Sequence, residues 1–148
     1  MKLRGVIGIL FFLLILLPTA TFAHHQVVLV TNVDCPVNTI SSLELRKIYF
    51  GIQVKHKDYL MRGIQNQTNS QLDRIFHQTV VAMSKKSYQR RLLAQSLNRG
   101  SPSIAKFTDS IELYRELVKN TCNVTYMWED QVRKYYDLKI IKLLWQKN

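Results

Sequence analysis

Residues 65–70 read Gln65-Asn66-Gln67-Thr68-Asn69-Ser70, an unbroken polar run directly ahead of a helical pattern with Leu72, Ile75, Phe76 and Val80 on one face. A helix leaves its first N–H groups unpaired and carries about half a positive charge at that end. Hydroxyls, side-chain amides and backbone donors gathered there make a place for an anion. Arg62 precedes the loop and Arg74 lies one turn inside the helix, so each is placed to add a charge-assisted bond to an oxyanion. The plainer reading is that Ser70 caps the helix and the loop is solvated.

Other reactive types give weaker patterns. His24-His25 would set imidazoles beside a free amine if the chain were cut before His24, a combination able to hold copper, but spacing supplies no third ligand. His56 and His77 have no Cys or carboxylate at ligand spacing and read as solvated or packed histidines. Ser84, Ser87, Asp73 and His77 lack a Gly-x-Ser-x-Gly elbow or any other nucleophile signature, so no catalytic residue is assigned. No metal or cofactor is expected. Lys85, Lys86, Arg90 and Arg91 share a helical spacing that reads as a solvated basic face, or as one suited to an anionic membrane surface or an acidic protein. Asn66-Gln67-Thr68 and Asn123-Val124-Thr125 fit the glycosylation pattern.

The compartment decides which of these matter. Residues 1–23 open with Lys2 and Arg4, run apolar from Gly5 to Leu17, break at Pro18 and end in Thr21-Phe22-Ala23. That is the build of an export signal cut before His24; the rival is an uncleaved anchor. The whole chain has 148 residues and a formal charge of +11; removing 23 residues and two positive charges leaves 125 residues and +9. With 47% hydrophobic residues, the chain is one folded domain over residues 24–148 rather than a disordered tail. After cleavage no span remains, and the expected location is periplasmic or secreted. Outside the cytoplasm nucleic acid is not the expected partner of a basic protein; oxyanions, anionic lipids and acidic polysaccharides are. In an oxidising compartment Cys35 and Cys122 are expected to form one disulfide.

The elements that must position the loop follow from periodicity. Val27-Val28-Leu29-Val30-Thr31 is a buried strand. Ser41-Ser42-Leu43-Glu44 is a capping box opening a short helix that Gly51 stops. Residues 53–58 read as a polar loop, and Tyr59-Leu60-Met61 as a strand ending at Arg62-Gly63. A helix is expected over about 85–97, with Tyr88, Leu92, Leu93 and Leu97 as its apolar stripe, broken by Arg99-Gly100-Ser101-Pro102-Ser103. Asp109-Ser110-Ile111-Glu112 opens another helix, closing at Asn120. Residues 124–127 read as a strand, 129–136 as a helical turn and 138–144 as the last strand. Alternating strands and helices give an α/β class: a small mixed sheet flanked by helices.

The order of these motifs resembles the phosphate-binding, PstS-like family of periplasmic substrate-binding proteins. Its Ile-Phe-x-Gly helix end is similar to Ile48-Tyr49-Phe50-Gly51, and its Ser-x-Leu-Arg-x-x-Phe helix to Ser70-Gln71-Leu72-Asp73-Arg74-Ile75-Phe76. Its later Gly-Pro turn and Pro-Gly-Ala-Ile-Gly-Tyr strand fall on Gly100-Ser101-Pro102 and on Thr121-Cys122-Asn123-Val124-Thr125-Tyr126. Where the family has a Gly-Ser-Gly-Thr type loop, this chain has Asn66-Gln67-Thr68-Asn69. The resemblance implies one lobe of a type II periplasmic binding protein, with no enzymatic activity. Its implied ligand is phosphate or a similar small oxyanion, its implied site Arg62, Thr68, Asn69, Ser70 and Arg74, and its partner a membrane transporter or sensor. The alternative keeps the fold without the ligand, as an envelope interaction module using the face from Lys85 to Arg91.

Overall fold

A computed structural model describes residues 25–147. The expected signal segment and its cut before His24 lie outside them. Within them a five-stranded mixed sheet carries helices on both faces, which is the expected α/β class.

The sheet is built outward from two strands, β1 (Gln26–Asn32) and β6 (Asn123–Trp128), paired antiparallel from Val27↔Trp128 to Thr31↔Val124. Every residue of β6 and all but the first of β1 are buried, so neither face meets water. Alternation then sends side chains to two cores. Val27, Leu29, Val124 and Tyr126 pack against α1 (Ser42–Tyr49), α2 (Ser70–Thr79) and Tyr88 of α3 (Lys85–Arg99). Val28, Val30 and Met127 pack against Leu113 and Leu117 of α4 (Ser110–Lys119) and Val132 of α5 (Glu129–Val132).

Outside this pair, β7 (Leu138–Gln146) lies antiparallel to β1 and forms one sheet edge. On the other side β3 (Tyr59–Gly63) runs parallel to β6, and β2 (Val54–His56) forms the opposite edge. A separate parallel pair, β4 (Gln65–Asn66) with β5 (Lys106–Phe107), fixes the polar loop ahead of α2.

Three local expectations change. Residues 53–58 are not simply a loop: Val54 is buried opposite Met61, and a hairpin closes through Lys57, whose positive φ of 54° supplies the twist a tight hairpin needs. The cap of α2 is Asn69 rather than Ser70; its extended backbone lets Oδ1 accept from the N–H groups of Gln71 at 2.8 Å and Leu72 at 3.2 Å. The stripe of α3 is shorter than its spacing suggests. Tyr88 is buried and Leu92 half-buried, but Leu93 and Leu97 are 61% and 76% exposed.

One covalent bond and one close packing contact hold the layers. Cys35, in the turn after β1, is bonded to Cys122 at the entry to β6, across a separation of 87 residues. Gly63 lets α1 lie on β3, since a Cβ there would fall 2.9 Å from Tyr49 Cε1 and 3.1 Å from Ile48 Cγ2. Tyr49 is fully buried and has nowhere to move.

Reducing the disulfide, or replacing both cysteines by serine, is expected to cost on the order of 4 kcal/mol through the freed unfolded chain; the melting midpoint should then fall by roughly 10–20 °C. Gly63→Ala is expected to destabilise by about 1–3 kcal/mol through overpacking, read from denaturant unfolding, whereas Gly100→Asn, at an open left-handed cap, should change stability by well under that.

Candidate functional site

The loop before α2 is organised by its own asparagines. Asn66 is buried and donates through Nδ2 to the Tyr126 carbonyl at 2.8 Å, which pins the loop to β6. Its Oδ1 accepts from the Thr68 N–H at 3.0 Å and the Thr68 hydroxyl at 2.7 Å. Asn69 holds the N–H groups of Gln71 and Leu72, as described above. Side chains standing where glycines would leave open backbone thus take donors that an anion would otherwise use. The hydroxyl of exposed Ser70 makes no hydrogen bond to protein among the described residues.

An aromatic cluster orients α2. The Phe76 ring stacks on Tyr126 with centroids 4.6 Å apart, and meets Tyr49 and Tyr88 edge-on at 4.8 and 5.7 Å. Tyr49 shares its hydroxyl proton between the carbonyls of Ile64 and Val124, at 3.1 and 3.3 Å, and Tyr88 donates to the Tyr49 carbonyl. Burial pushes the hydroxyls of Tyr49, Tyr88 and Tyr126 well above the ordinary phenol range, so all three stay neutral; Tyr49 and Tyr88 act as donors, while the buried Tyr126 hydroxyl has no hydrogen-bond partner among the described residues.

With α2 so fixed, a groove of about 620 Å³ opens between its outer side and the start of α3. Ser70, Asp73, Arg74, His77, Ser84 and Lys85 line it. Asp73 Oδ2 accepts from Lys85 Nζ at 2.8 Å, while His77 Nε2 lies 3.6 Å from Asp73 Oδ1. Asp73 Oδ1 and His77 Nδ1 are buried without a hydrogen-bond partner. Burial lowers the His77 pKa, against the pull of Asp73 and helped by Lys85 and Lys106, so the ring is neutral at neutral pH. The groove thus presents Arg74 and Lys85 as cations, one carboxylate already paired, and one neutral imidazole.

Of the residues singled out in the sequence, Ser70 and Arg74 meet in this groove. Thr68 and Asn69 shape the loop at its edge. Arg62 goes elsewhere: it lines a second groove of about 360 Å³ with Gln53, Leu60, Pro102, Glu116 and Asn123. Asp73 and His77 are not among the expected site residues, although their four-residue spacing puts them on one helical face. Lys85 reaches Asp73 from the next helix, a pairing no local pattern foretells. The basic run is divided. Lys85 faces the α2 groove, and the Arg91 guanidinium sits 4.3 Å over the Phe50 ring beneath α1.

Neither a hydrolytic nor a metal arrangement is assembled among the described residues. Ser84 Oγ donates to Ser87 Oγ at 3.0 Å rather than to His77, and no three His, Cys, Asp or Glu side chains converge. His25 packs edge-on against Trp128, 5.4 Å between centroids.

The chain is similar in fold to an ABC-type phosphate transport receptor from Vibrio cholerae, with a TM-score of 0.56 at 16% identity over 80% of this chain. A possible phosphate binding protein from Planctomyces limnophilus matches equally, again at 0.56, 16% and 80%. The match spans 47% of the first structure and 41% of the second, less than half of either. At that identity the likeness is one of fold. No family model and no curated protein matches the chain.

Because folding keeps His77 neutral, its contribution to stability is complete above its unfolded pKa near 6.5 and is lost as pH falls through the lowered folded value. The melting midpoint should therefore drop on acidification below about pH 6.5, and the drop should be shallower in His77→Gln, measured by circular dichroism across a pH series.

Proposed function

We propose that the chain is an exported, non-enzymatic solute-binding-like protein whose ligand is phosphate or a similar small oxyanion, held in the groove between α2 and α3. The observation that carries this reading is the groove's composition. Arg74 and Lys85, the latter also paired with Asp73, line the groove together with the exposed Ser70 hydroxyl. The fold of the two phosphate-related structures supports it, as do the expected signal segment and the disulfide, both suited to the periplasm or the exterior. Thr68 and Asn69 serve by holding the loop, and Arg62 stands apart from the ligand. Because a single lobe leaves the groove open, capture is weak alone and becomes effective beside a membrane transporter or sensor.

A second reading is favoured by one observation: Asn66 and Asn69 already occupy the loop donors. On it the chain keeps the fold as an envelope interaction module and meets an acidic partner through the face from Lys85 to Arg91.

Calorimetric titration of phosphate and sulfate into the purified, oxidised chain separates the two. Oxyanion capture gives a saturable one-to-one heat and stabilisation of roughly 2.7 kcal/mol at a hundredfold excess over Kd, both lost in Ser70→Ala/Arg74→Gln. No heat and no melting shift at millimolar anion leaves the interaction module.

A further inference from the structure

Of the grooves among the described residues that carry charge, the one between α1 and the α2–α3 connection is the most one-sided. Its volume is about 380 Å³, and Arg46, Lys47 and Arg91 line it without any Asp or Glu. Two of these cations are held in place. Arg46 Nε donates to the Val80 carbonyl at 3.3 Å, and Arg91 rests on the Phe50 ring. The nearest carboxylate on α1, Glu44, is engaged by the Ser41 N–H at 3.0 Å and the Ser41 hydroxyl at 2.6 Å, which keeps its pKa low, and it faces His56 at 3.4 Å. The α2–α3 groove, by contrast, contains Asp73.

Apolar side chains stand among these cations rather than beneath them. Leu43 is 65% exposed and Ile52 40%, both lining the same groove, with half-buried Met83 between α2 and α3. An acidic protein surface would pair the cations but leave Leu43 and Ile52 against polar groups. A sheet of anionic lipid satisfies both, placing phosphates at the cations and apolar side chains at the boundary of head group and acyl chain. A formal charge of +11 draws the whole chain toward such a surface.

We propose that this face docks the protein on an anionic lipid bilayer, with Arg46, Lys47 and Arg91 on lipid phosphates and Leu43 and Ile52 inserted between head groups. The surface borders the oxyanion groove at Ala82 and Met83, but its cations, Leu43 and Ile52 are its own, and the proposal does not rest on oxyanion binding.

The test is co-sedimentation of the full chain with phosphatidylcholine vesicles, with and without phosphatidylglycerol. Residues 1–23 carry Lys2 and Arg4 beside their apolar run, so the readout is the ratio of the two partition coefficients in each variant relative to that of the unaltered chain. Binding should rise with phosphatidylglycerol and fall with salt. At about fivefold per cation removed, Arg46→Gln/Lys47→Gln/Arg91→Gln should weaken it roughly 100-fold. Leu43→Ala should weaken it further without altering the salt dependence. Arg115→Gln/Lys119→Gln/Lys134→Gln, exposed positions on the α4 and α5 side, is the matched control and should leave binding nearly intact. Melting curves check that each variant folds. An unchanged ratio with phosphatidylglycerol, an equal loss in the control, or tighter binding to polyglutamate that ignores Leu43→Ala would overturn the proposal.

Discussion

Burial of β1 and β6 on both faces is the constraint from which the other elements take their places. A strand pair with no wet face needs two separate layers, and alternation divides its side chains between them. The polar residues of these strands then become fastenings. Thr31 donates to the Asn123 carbonyl at 2.8 Å, Thr125 to the Ile64 carbonyl at 2.9 Å, and Asn123 to the Glu116 carbonyl at 2.7 Å. Left unpaired at such depth, each would cost about 1–3 kcal/mol. Paired, they hold β3 and α4 against the central strands.

The layer beneath β6 carries this order outward to the grooves. Tyr126 receives Phe76, Phe76 fixes the turn of α2, and that turn sets Asp73, Arg74 and His77 in a row. Tyr88 ties α3 to the end of α1 by its bond to the Tyr49 carbonyl, so one aromatic cluster sets three helices at once. The cations along α3 are thereby shared between two sides. Lys85 is spent on Asp73, and Arg91 on Phe50.

Much of this was legible in the residues. The apolar runs at Val27 and Val124 mark the central strands, the Ser41 and Glu44 pair marks a helix start, and the expected export signal makes Cys35 and Cys122 the natural disulfide pair. What escaped depends on distant packing or on small conformational choices. Val54 is a single apolar residue amid Gln53, Lys55 and His56, and Lys57-Asp58 lacks the glycine of a familiar hairpin turn, so periodicity has nothing to register. Asn69 and Ser70 are equally good caps by type, and one extended backbone angle decides between them. Leu93 and Leu97 have the spacing of a core face, but α3 extends past the layer that would cover them. For the site, alternation put Met61 inward and Arg62 outward into another groove, while the lysine that pairs with Asp73 comes from a separate helix.

The Lys147 N–H donates to the His25 carbonyl at 3.1 Å, and Gln26 faces Gln146, so the described chain enters and leaves at one corner. A pull on those two ends loads antiparallel β1 and β7 as a zipper, opening hydrogen bonds one after another rather than shearing them together. The force then meets the bond between Cys35 and Cys122, which encloses α1 through α4 in a covalent ring. Under tension the edge strand β7 peels from β1 first and the central strands β1 and β6 follow, while the ring between Cys35 and Cys122 stays off the load path and cannot be drawn out into extended chain.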